Sequence, residues 1–153
     1  MIPISAVIIS ENKGTSTTLE KFGEDNFMIM KIMGDASDIH NGMDLIRAQK
    51  PDFVFFDSVL QEESFFDMLG QLEFHTPKLI FISEEERDAV KAFKYNAIDF
   101  ILKPLDFNAI ILSVYKVIKR IEMEQSYQNQ KVNNINMLNS ANHSNEFARF
   151  LIG

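Results

Sequence analysis

Four short apolar runs each end in side chains that can handle charge. Ala6–Ile9 leads into Ser10, Glu11 and Asn12, Phe53–Phe56 into Asp57, Leu79–Ile82 into Ser83, and Ile98–Leu102 into Lys103 and Pro104. If the runs are strands of one open parallel sheet, these residues gather beyond the strands' carboxyl ends, where such sheets do their ligand chemistry. A carboxylate, a hydroxyl and an ammonium would share one rim, with a second carboxylate alongside. That is a phosphoryl site in outline. Singly, each residue is ordinary: an Asp ending a strand is most often a turn or cap, a Lys before Pro is a solvated loop cation, and Ser83 is the N-cap of a helix whose dipole Glu84–Glu86 complement. Their joint occurrence at the ends of different runs carries the reading.

The runs must be positioned by a fold. A fifth, Phe27–Met33, completes a set of lengths that suits strands, and four are near-continuous rather than alternating, as in strands covered on both faces. Between them lie helical spacings: Leu19 and Phe22 in Thr15–Phe22, Leu45 and Ile46 in Met43–Ala48, Phe65, Phe66, Met68, Leu69 and Leu72, and Ala89, Val90 and Phe93 in Arg87–Tyr95. A last helix follows Pro104 with Asp106 as N-cap and Ile110, Val114, Val117, Ile118 and Ile121 at helical periods. Strand and helix alternate five times, which predicts right-handed crossovers and a doubly wound, three-layer α/β sandwich.

Composition narrows the functions. The 153 residues suffice for one ordinary domain and an appendage, which excludes a large multidomain enzyme. A net charge of −7 with no local basic patch argues against nucleic-acid binding by this segment. The absence of cysteine removes disulfides, thiolate nucleophiles and Cys-based metal sites, and fits a reducing, cytoplasmic compartment. No signal peptide and no apolar stretch of about 18 residues is present, so the chain reads as soluble, with no membrane partner. His40, His75 and His143 stand alone, without a ligand at metal spacing. Asn12–Lys13–Gly14–Thr15 contains K-G-T but not the order a P-loop requires. Met28, Met30 and Met33 read as core filling.

Composition shifts at Gln125, and Asn and Gln supply ten of the twenty-one positions to Asn145. We divide the chain into a domain over residues 1–124 and a linker or helical arm over 125–153. Val132, Ile135 and Leu138 are thinly spread along the arm; a flexible tail is the plain reading and a short coiled coil the alternative. Phe147–Ile152 is apolar again, as a docking tail or the start of a further element would be.

The segments AVIISEN, PDFVFFDSVL, PKLIFIS and YNAIDFILKP resemble the CheY-like receiver domain of two-component response regulators, and the last is similar to the fifth-strand signature of receivers in the LytTR group. The resemblance covers about the first 124 residues and implies a flavodoxin-like five-stranded sheet in the order 2-1-3-4-5 with five helices. It makes Asp57 the phosphoacceptor, Ser83 and Lys103 the phosphoryl-binding residues, and Phe100 the aromatic switch. Glu11 and Asp57, with the backbone carbonyl of Val59, would hold Mg²⁺. The partners implied are a sensor histidine kinase and a second copy in a homodimer, with DNA reached only through a separate effector domain. The chain would be a switch, not an enzyme with its own turnover. Phosphorylation would act on the face of the fourth helix, fifth strand and fifth helix. The Lys103–Pro104 bond resembles one that is cis in the family.

Departures cluster at the metal site. Ser10 stands where the family has a second acid, Glu11 is one methylene longer than Asp, Gln61 replaces the usual Pro and Phe65 the usual Gly. Fewer charges make a shallower well for Mg²⁺. The competing reading is a degenerate receiver that keeps the fold as a phosphorylation-independent interaction or dimerisation module. A flavodoxin-like binding or hydrolytic domain with Asp57 as nucleophile is disfavoured, because no glycine-rich phosphate loop follows the first run.

Overall fold

The computed structural model describes residues 3–57 and 62–143. Its elements are β1 (Ile4–Ile9), α1 (Lys13–Asp25), β2 (Met30–Ala36), α2 (Ile39–Gln49), β3 (Phe53–Asp57), α3 (Glu62–Leu69), β4 (Lys78–Ser83), α4 (Asp88–Lys94), β5 (Asp99–Leu102) and α5 (Phe107–His143). The five strands form one parallel sheet in the order β2-β1-β3-β4-β5. Two units separate within α5, residues 1–117 and 118–153.

Successive strand residues face opposite sides, so each strand feeds two cores. Val7, Ile9, Val54, Phe56, Leu79 and Phe81 pack with Met43 and Ile46 of α2, Phe65 and Leu69 of α3, and Ala92 of α4. On the alternate positions Ala6, Ile8, Phe53, Phe55, Ile80 and Ile82 are equally buried, as are Leu19 and Phe22 of α1 and Ile110, Val114 and Val117 of α5. The Phe22 and Phe107 rings meet edge to face at 5.6 Å, joining α1 to the start of α5. The result is the expected three-layer sandwich.

Caps fix where the helices begin beside the rim. Asn12 accepts from the Thr15 amide at 3.0 Å and Asp38 from the Asn41 amide at 2.8 Å. Asp106 accepts from the Ala109 amide at 2.8 Å, the cap expected of it. Gly42 lets α2 lie directly on β1: a Cβ there would stand 2.6 Å from Ile9 Cδ1, one residue before Ser10.

Three expectations shift. The second strand begins at Met30, not Phe27, because Asn26 closes α1 and leaves Phe27 and Met28 exposed in the turn. Met28 is therefore not core filling. Helix α4 starts only at Asp88, so Glu84–Glu86 precede it and Ser83 does not cap it. Val117, one of the apolar residues at helical periods in the last helix, is fully buried. Residues 125–143 are helical, and Phe147–Ile152 lie outside the described residues.

Candidate functional site

Strand register decides which side chains meet. Ile9 pairs with Phe56, so one step further Ser10 comes beside Asp57. Asp57 pairs with Ile82, and Ile82 with Ile101. Lys103, two residues past Ile101, therefore returns to the face that carries Asp57. Ser83 pairs with Leu102, one step off that row, and shares the face of Phe81.

The side chains follow the register. Asp57 is fully buried, and its Oδ2 accepts from Lys103 Nζ at 2.8 Å and from Ser10 Oγ at 3.0 Å. Lys103 is itself only 12% exposed, so this is a buried, charge-assisted pair, which breaking from one side would strongly destabilise. The Ser10 hydroxyl also accepts from the Asn12 amide at 3.1 Å, which fixes its direction. The Lys103–Pro104 peptide is cis. An open depression of 640 Å³, lined in part by Asn12, Thr15, Glu84, Lys103 and Leu105, leads to the Lys103 side of the pair.

Ser83 stands at the same rim, but its hydroxyl faces α4. It donates to Asp88 Oδ2 at 2.6 Å and accepts from the Glu85 amide at 3.0 Å. Phe100 is half-buried and stacks on Phe81 with ring centroids 6.4 Å apart. Phe81 in turn contacts Phe56, the residue before Asp57, and Phe66, which stacks on Tyr95 at 3.8 Å. An aromatic array thus runs from β3 beside the acid to β5 and α4. Phe65, at the position where glycine was expected, lies inside α3 and stacks on Phe56 at 4.4 Å. Glu11 is exposed. Val59 and Gln61 lie outside the described residues, and among the described residues no three His, Cys, Asp or Glu side chains cluster as a metal site.

Two roles escaped the sequence. Ser10 enters the sequence reading at the end of the first run and as the replacement of an acid, not as a partner of Asp57, yet its hydroxyl donates directly to Asp57. Asp88 was not singled out, although it holds the Ser83 hydroxyl. The signal for Asp88 was the acidic run after Ser83, masked by assigning that run to a helix dipole.

Elsewhere, the Asp35 carboxyl facing Glu20 raises the Glu20 pKa through a shared hydrogen bond, with burial and charge repulsion adding to it.

Comparison with known proteins bears on the family and the fold. The family description "Response regulator receiver domain" matches residues 7–115. A response regulatory protein of Vibrio parahaemolyticus is 29% identical over 126 residues, covering 80% of this chain and 52% of that protein. The sensory transduction protein LytT of Bacillus subtilis is 34% identical over 100 residues, 61% of this chain and 42% of that one. The signal receiver domain of a Luxo repressor protein from Vibrio parahaemolyticus superposes with a TM-score of 0.69 at 18% identity, covering 82% of this chain and 97% of that domain, which shows the shared fold. The chain spans about half the length of the curated relatives it matches.

Proposed function

Because the chain belongs to the response regulator receiver family of two-component systems, we propose that it takes a phosphoryl group from a sensor histidine kinase onto Asp57 and transmits the change through α4, β5 and α5. The observation that supports this most is the buried Asp57 carboxylate with the Lys103 ammonium 2.8 Å away. In the transfer a carboxylate oxygen of Asp57 bonds to phosphorus as the phosphorus–nitrogen bond of the donor imidazole breaks. Lys103 neutralises charge that would otherwise build up on the phosphoryl oxygens. The added group carries about −1.5 to −2 charges. Ser83 would leave Asp88 to donate to a phosphoryl oxygen, and Phe100 would follow it within the aromatic array.

Asp57 and Glu11 offer hard carboxylate oxygens of the kind Mg²⁺ takes, and the Val59 carbonyl would join them. The donor chemistry fits, with Ser10 leaving it one acid short, so we propose a weak site. Mg²⁺ when bound supplies positive charge against the incoming phosphoryl oxygens. The domain would span residues 1–124, with 125–153 an arm, and work in the cytoplasm as a regulatory phosphoacceptor. No helix among the described residues is long and apolar enough to cross a membrane. A homodimer would use exposed Val90, Phe93, Leu112 and Tyr115, and DNA would be reached only through a separate effector domain.

The test is incubation with a small phosphodonor, or with beryllofluoride, at millimolar Mg²⁺. A weak gain of one phosphoryl mass that Asp57→Asn abolishes is expected. A silent wild type would overturn the proposal in favour of the phosphorylation-independent interaction module.

A further inference from the structure

Among the described residues, nothing packs along the helix of the second unit. Every residue from 122 to 139 is exposed, and this stretch contains five asparagines and three glutamines. Asparagine is a poor helix former, and isolated helices of this length are marginal in water without tertiary cover. Something must therefore cover the helix.

Its apolar and amide residues have an order that names the cover. Ile121, Gln125, Gln128, Val132, Ile135 and Asn139 succeed one another by alternating steps of four and three, the a and d positions of a heptad. Val132 and Ile135 on this seam are 50% and 48% exposed. We propose that the seam is the interface of a parallel, in-register, two-stranded coiled coil between two copies of this chain.

Three features select a second copy as occupant. Amides at seam positions are costly against an apolar partner and are satisfied by the same amide across a parallel, in-register pair, so Gln125, Gln128 and Asn139 suit a copy of themselves. An Asn at an a position also restricts the number of strands. Finally, the flanking positions that meet in that arrangement pair Glu124 with Asn129 and Lys131 with Asn136, so no like charges are set together. This interface does not depend on Asp57 or on the α4–β5–α5 face.

The test uses the full chain in analytical ultracentrifugation, with helix content followed by circular dichroism. The wild type is expected to be dimeric at about 100 µM. Val132→Glu together with Ile135→Glu should weaken association at least tenfold while leaving the cooperative unfolding of the domain in place. Gln125→Ile should tighten association at least tenfold, a gain that a solvated helix would not give. Since the chain has no cysteine, Val132→Cys and Asn139→Cys report orientation separately: both should form intermolecular disulfides under mild oxidation. Cross-linking at only one of the two positions overturns the parallel register. A monomeric wild type, a trimeric mass, or a Val132→Glu/Ile135→Glu chain that dimerises like wild type overturns the coiled coil, whatever the phosphodonor experiment shows.

Discussion

Replacing Ser10 by Asp tests whether position 10 acts directly on Asp57. In the native chain the Ser10 hydroxyl donates to Asp57 Oδ2 at 3.0 Å, where Asp57 is fully buried. Ser10→Asp removes a hydrogen bond to a charged acceptor, a loss of about 1.5–3 kcal/mol. It also sets two carboxylates together, and like charges about 4 Å apart repel by roughly 4 kcal/mol at an effective dielectric of about 20. Lys103, 2.8 Å from the same oxygen, offsets part of that. The repulsion has a ceiling, because the introduced carboxyl can take up a proton. Keeping an aspartate of ordinary pKa about 3.9 neutral at pH 7 costs about 4 kcal/mol. We therefore expect a net loss of about 3–5 kcal/mol at pH 7 without divalent cation. At about 4 °C per kcal/mol for a domain of this size, the midpoint falls by roughly 12–20 °C. The sign with pH follows: the introduced acid titrates higher in the folded state than in the unfolded one, so the electrostatic part of the penalty is absent below about pH 4 and grows as pH rises through the folded titration. Mg²⁺ should reverse it, since a cation at 100 times its Kd returns about 2.7 kcal/mol. The assay is thermal unfolding by circular dichroism, the chain having no tryptophan, in EDTA and in millimolar Mg²⁺, with Ser10→Ala as the control that loses the bond alone. If Ser10→Asp melts with wild type in EDTA and ignores Mg²⁺, position 10 does not face Asp57 and the reasoning fails.

Removing the Asp88 carboxylate by Asp88→Ala frees the Ser83 hydroxyl from its 2.6 Å bond. Releasing a bond to a charged acceptor, worth about 1.5–3 kcal/mol, should tighten beryllofluoride binding roughly ten- to a hundredfold; equal affinity for variant and wild type would mean that Ser83 does not have to leave Asp88. Away from the site, the hydrogen bond shared with Asp35, with burial and like charge adding to it, lifts the Glu20 pKa, and Glu20→Gln should raise stability at pH 7 because its amide keeps a donor for Asp35 without the like charge. That raised pKa makes the native pair most favourable below the unfolded glutamate pKa and progressively less so as pH rises through the folded one. The difference in urea midpoint between variant and wild type should therefore shrink on acidification, and a constant difference would argue against the pair.

The layered fold was legible because its signals are local and repeated. Five apolar runs of strand length, separated by helical spacings, admit few topologies once right-handed crossovers are imposed, and the resemblance of AVIISEN and YNAIDFILKP supplied the strand order that the sheet adopts. Boundaries were less legible where two signals compete. Phe27 and Met28 look like the start of a strand by hydropathy, but Asn26 closes α1 with its amide and side chain both bonded to Phe22 O, and the strand waits until Met30. Glu84–Glu86 look like the first turn of a helix by charge, yet the turn built on Ser83 and Glu85 delays α4 to Asp88.

At the site, sequence located the rim but not the pleat. A list of the residues that end strands places Asp57, Ser83 and Lys103 together, because end positions are what a one-dimensional reading sees. Which of them face one another depends on register, and a single residue step moves a side chain to the other face of the sheet. Pairing of Asp57 with Ile82 and of Ser83 with Leu102 puts that one step between the carboxylate and the hydroxyl. Ser83 accordingly lies on the α4 side, where Asp88 takes its proton donor, while Ser10, on the Asp57 row, takes the direct contact. The same displacement leaves the Ser83 hydroxyl and the Asp57 carboxylate each engaged by a different partner. If Asp57 is phosphorylated as we propose, moving α4 requires exchanging the Ser83–Asp88 bond for one to the new anion, and the strength of that bond would set how far the switch is biased toward rest.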